Sequence, residues 1–136
     1  MIKKLLVECE CLDYIQSRFI STGMKMDSFV KSLVSDNAHL PYAVFRITDI
    51  EKNKKLYTVY VNANDAVPFL EMHAGSRSVV SCEKHGSEVH MFLRWEDLDG
   101  CSYHFVRTFS DRGSYSEYIR RFRENAGIHN IQVSFN

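Results

Sequence analysis

At 136 residues the chain has the length of one domain, and a domain of this size folds without needing a metal or a disulfide. Its 45% hydrophobic and 25% charged residues, with only 2 Pro and 6 Gly, exclude disordered and fibrous classes. The 17 Lys plus Arg offset the 17 Asp plus Glu, which excludes a global field that would draw the chain to nucleic acid or an anionic membrane.

Lys3 and Lys4 precede an apolar run of only Leu5, Leu6 and Val7, too short for the hydrophobic region of a secretion signal. No stretch reaches the ~18 apolar residues that cross a bilayer, so no membrane association is expected. Cys9, Cys11, Cys82 and Cys101 show no framework spacing and read as reduced thiols of a cytoplasmic protein.

Leu12, Ile15, Phe19 and Ile20 recur at helical spacing and stop at Gly23, which predicts a first helix. Asp27 offers an N-cap to a second, whose stripe is Phe29, Val30, Leu33 and Val34 and whose limit is Pro41. From Tyr42 the period changes to two. Tyr42 to Ile50 and Leu56 to Val61 flank the Lys-rich segment 51–55 and read as a hairpin. A short helix is expected from Pro68 to Ala74, followed by strands at 78–83, 88–95 and 101–109 in a meander. Ser114 and Glu117 have the spacing of a capping box, each side chain bonding the other's amide at the start of a helix. Tyr115, Tyr118, Ile119 and Phe122 line that helix, Gly127 ends it, and Ile131, Val133 and Phe135 alternate in a last strand. Together these predict a single α+β domain over 1–136, a mostly antiparallel sheet of a hairpin plus a three-stranded meander, covered on one face by helices.

A loop over 96–100 would place Trp95 opposite Cys101 and pair Leu93 with Tyr103 and Met91 with Phe105 on the core face. The other face then carries Glu88, His90, Phe92 and Arg94 beside Ser102, His104, Val106 and Thr108. Arginine and aromatic side chains dominate protein-binding hot spots, so this face is a candidate docking surface. Two imidazoles that exchange protons beside a guanidinium that holds phosphate would also serve metal-independent RNA cleavage. An ordinary solvated sheet face is the third account.

Seven of the eight lysines precede Gly75 and seven of the nine arginines follow it, which makes the C-terminal half the better recognition half. Arg112, Arg120, Arg121 and Arg123 cluster around the last helix, and Arg120 and Arg121 are candidate binding residues there. Glu117 and Glu124 stand four residues from Arg121 and Arg120, the spacing of a self-neutralised solvent face. Cys82 and His85, with two residues between them, make one half of a zinc knuckle without a second, and Cys9 and Cys11 lack the knuckle turn. No nucleotide loop or nucleophile elbow is present, so no metal, cofactor or catalytic residue is assigned. The leading expectation is a small non-catalytic module that docks on a protein and inhibits or neutralises it, in the manner of immunity factors. A ribonuclease using the His90, Arg94 and His104 face is the alternative. An anionic small-ligand module gathering Arg94, Arg107 and Arg120 is the third function considered.

Overall fold

The chain runs β1 (Lys3–Cys11), β2 (Ile15–Thr22), α1 (Met26–Asn37), β3 (Ala43–Asp49), β4 (Lys54–Val61) and α2 (Val67–Glu71). It continues through β5 (Arg77–His85), β6 (Glu88–Glu96), β7 (Ser102–Phe109), α3 (Arg112–Ile128) and β8 (Gln132–Phe135). This is a computed structural model that describes residues 2–64 and 67–136. One eight-stranded sheet has the order β2-β1-β3-β4-β7-β6-β5-β8. Among the described residues no helix is long and apolar enough to cross a membrane.

The expected first helix over Leu12 to Gly23 is strand β2 instead. Leu5, Val7, Cys9 and Cys11 alternate along β1, and β2 pairs with that strand from Thr22↔Lys3 to Ile15↔Glu10. The helical spacing of Ile15, Phe19 and Ile20 loses to this pairing, because eight cross-strand partners outweigh a weak local preference. Ile15 and Phe19 consequently stay exposed, at 81% and 77%.

The sheet is mostly antiparallel, as expected, in five of its seven strand pairings, but it is mixed rather than purely antiparallel, since β4 runs parallel to β7 and β5 parallel to β8. Each parallel pair is separated in sequence by two or more elements, including a helix, which gives the chain the length to return in the same direction. Coverage is also two-sided. On one face α3 packs Ile119, Phe122 and Ala126 against Val80, Met91, Leu93 and Phe105. On the other α1 sets Val30, Leu33 and Val34 on Leu5, Phe45, Val59, Val61 and Val106. The helices are offset, so each leaves part of its face open.

Helix α3 starts at Arg112 with Asp111 as its N-cap, whose Oδ1 accepts the Ser114 N–H at 2.8 Å. The capping box at Ser114 and Glu117 is therefore not formed, because Asp111 satisfies the Ser114 amide one turn earlier and frees Glu117 for arginines. Gly127 lies within the helix, and Asn130, at φ 56°, makes the left-handed exit. The short helix over 67–71 ends before the expected Ala74. Asn62 ties the two halves of the fold. Its Nδ2 donates to Leu40 O at 2.7 Å and to Ala38 O at 3.2 Å, and its Oδ1 accepts the Thr108 N–H at 2.8 Å.

Candidate functional site

The β6–β7 register is Leu93↔Phe105, Trp95↔Tyr103 and Arg94↔His104, one pair displaced from the expected Leu93 with Tyr103 and Met91 with Phe105. The loop is the cause. It spans 97–101, with Asp97 Oδ1 accepting the N–H groups of Asp99 and Cys101, both at 2.9 Å, and Gly100 at φ 82°. A displacement of two residues preserves the alternation, so each side chain stays on its expected face. Met91, Leu93 and Phe105 are buried under α3. Glu88, His90, Phe92, Arg94, Ser102, His104, Val106 and Thr108 lie on the other.

That face is one wall of a groove. Helix α1 stands beside it and supplies Val30, Lys31 and Val34 as the second wall, enclosing about 670 Å³ with the strands. Phe92, Val79 and Val106 contribute an apolar floor, while Arg94 stands exposed beside it. A smaller hollow of about 320 Å³ adjoins through Val79, Arg94 and His104 and reaches Tyr57, Asp27 and Glu96. Arg94 has no ion pair among the described residues, so its guanidinium keeps its donors for an incoming group.

His104 lies between Arg94 on β6 and Tyr57 on β4, whose ring centroid is 5.5 Å away. Burial and, after it, the Arg94 charge together push its pKa down to about 4, partly opposed by Asp27. It is a neutral imidazole at neutral pH, and its Nε2 is buried without a hydrogen-bond partner. The Tyr57 hydroxyl donates to Asp27 Oδ1 at 3.2 Å, linking β4 to the start of α1.

The two expected histidines do not meet. His90 pairs with Thr108, four residues along β7 from His104, a separation of about 13 Å at ~3.3 Å per residue. A phosphate would have to span that separation to touch both, and a neutral His104 lacks the second ring proton that an imidazolium gives up as a general acid. His90 stacks instead on His85 of β5, ring centroids 4.0 Å apart. Glu83 Oε2 is 3.2 Å from His85 Nε2 and Glu88 Oε1 is 3.6 Å from His90 Nε2, so the two stacked imidazoles are flanked by a carboxylate on each side at this end of the groove. Among the described residues, no group of three or more His, Cys, Asp or Glu side chains could hold a metal ion.

The arginines of α3 are elsewhere. Arg120 bonds Glu117 at 2.7 Å and Glu124 at 2.8 Å, and Arg121 bonds Glu117 at 3.3 Å, the self-neutralised arrangement that their spacing allowed. Arg107 points to the α3 side of the sheet, over the rings of Phe109 and Tyr118, and donates to Ala63 O at 3.1 Å. Arg94, Arg107 and Arg120 therefore do not converge on one ligand.

Residue-level reading of the sequence missed His85, the Tyr57 wall and α1. His85 was accessible, because the two-residue turn Gly86-Ser87, with Gly86 at φ 66°, sets His85 opposite Glu88. Tyr57 and α1 reach the site through the parallel β4–β7 contact, and no local signal marks that pairing. No protein-family model matches this chain, and no curated protein and no solved structure matches it either.

Proposed function

We propose that this chain is a small cytoplasmic, non-catalytic module that seats a segment of a protein partner in the groove between α1 and the β5–β6–β7 face, and inhibits or neutralises that partner. The observation that carries this reading is the pairing of an apolar floor at Phe92, Val79 and Val106 with an exposed Arg94 that has no ion pair among the described residues. An apolar anchor site beside a free guanidinium is what a hot spot supplies, since buried contacts give affinity and the charge-assisted hydrogen bonds give orientation. Four free cysteines suit a reducing compartment.

Affinity capture with the intact chain, followed by mass spectrometry, supplies the partner, and titration calorimetry with that purified partner tests the groove. Phe92→Ala and Arg94→Ala should each weaken binding by ~2 kcal/mol, roughly 30-fold. Arg120→Ala and Arg121→Ala should leave it nearly unchanged. Affinities equal to wild type for both groove variants would remove the groove from the interface. RNA turnover by the wild type that disappears in His90→Ala or His104→Ala would replace a docking protein with a nuclease.

A further inference from the structure

We propose that Cys9 and Cys11 form a two-thiolate site for a soft, thiophilic metal ion. Strand alternation puts both residues on the α1 side of β1, where Cys9 sits between Gln16 of β2 and Phe45 of β3 and Cys11 is paired with Ala43. Both are half-buried at the border of the apolar cluster under α1. Two residues of extended backbone separate their Cα atoms by about 6.6 Å, yet the sulfurs lean together to 3.4 Å. The pair lies beside the tight β1–β2 turn, in which the Cys11 N–H donates to Tyr14 O at 2.9 Å.

The geometry separates metal binding from the other chemistry open to two thiols. A disulfide needs its sulfurs ~2.05 Å apart and its Cβ atoms ~3.5–4.5 Å apart, whereas Cα atoms at ~6.6 Å on one side of a strand lie at the limit of the permitted range. Closing that bond would bend a strand held by ladder bonds on both edges. Two thiolates at ~2.3 Å from one tetrahedral metal are about 3.8 Å apart, within ~0.4 Å of the separation present. Thiolate ligands select soft ions such as Cu(I), Cd(II) and Zn(II). The step involves no redox change. Each thiol releases its proton to solvent, two metal–sulfur bonds form, and two waters leave the ion.

The ion has to displace both thiol protons, so affinity rises with pH.

The test is titration of the intact, reduced chain with Cd²⁺ at pH 8 and at pH 6, followed by the ultraviolet thiolate-to-cadmium charge-transfer band. Saturation at one equivalent is expected, with weaker binding at pH 6. The band should vanish in Cys9→Ser and in Cys11→Ser and persist in Cys82→Ser, which removes the exposed cysteine. A wild-type protein that shows no band overturns the proposal whatever the variants do. A band that survives Cys9→Ser, or that depends on Cys82, overturns it as well. Recovery of the pair as a disulfide, two hydrogens lighter and inert to Cd²⁺, would show that the strand bends after all.

Discussion

Lowering the pH should unfold this protein partly through one side chain, His104. The groups facing it are Arg94 from β6, Tyr57 from β4 and Asp27 from α1, and burial together with the Arg94 charge holds its pKa at about 4 instead of the ordinary 6.5. The unfolded chain takes up the proton near pH 6.5, while the native chain refuses it until near pH 4. The unfolded state therefore binds more protons in this window, and stability falls as pH drops through it. At ~1.4 kcal/mol per pH unit, the gap between 6.5 and about 4 corresponds to about 3 kcal/mol. His104→Leu removes the titrating group, and because Nε2 has no hydrogen-bond partner, it strands no polar atom. Urea denaturation of wild type and His104→Leu at pH 7.5, 6, 5 and 4 should show the difference between them changing by about 3 kcal/mol, with acidic groups common to both cancelling. Arg94→Gln should move the NMR titration of His104 upward, by less than burial moves it down. A His104 resonance that titrates near 6.5, or equal acid sensitivity in wild type and His104→Leu, would refute the reasoning.

Two further outcomes test the scaffold. Phe122 is 2% exposed and packs on Phe69 at 5.3 Å between ring centroids, so Phe122→Ala should cost ~3–5 kcal/mol in thermal or urea unfolding. Tyr118→Ala should cost less, because that side chain is only half-buried. At the start of α3, Asp111→Ala should cost ~1 kcal/mol, whereas Ser114→Ala should change the melting temperature little, the reverse of what a capping box at Ser114 requires.

Elements whose local and long-range preferences agree were legible in the sequence. The alternation from Ser78 to Phe109 runs through two short connections, so the meander and the division of its side chains between two faces followed from period two alone. For the same reason Glu88, His90, Phe92, Arg94 and His104 landed on one face despite a register off by one pair. The stripe of α1 and the buried Ile119 and Phe122 of α3 were equally readable, because an amphipathic helix carries its own period.

The tertiary structure decided everything that depends on a partner strand. Residues 12–23 carry a helical spacing and a strand composition together, and only the eight-pair ladder with β1 chooses between them. The parallel β4–β7 contact has no local signature, yet it brings Tyr57 beside His104 and α1 beside the meander, and thereby turns a flat face into a groove. The spacing between His90 and His104 was set by two hydrogen bonds to Asp97 Oδ1 in the loop. Periodicity determines which way a side chain points, because it is a property of the backbone. Which side chains meet is determined by register and pairing, which are properties of the whole sheet.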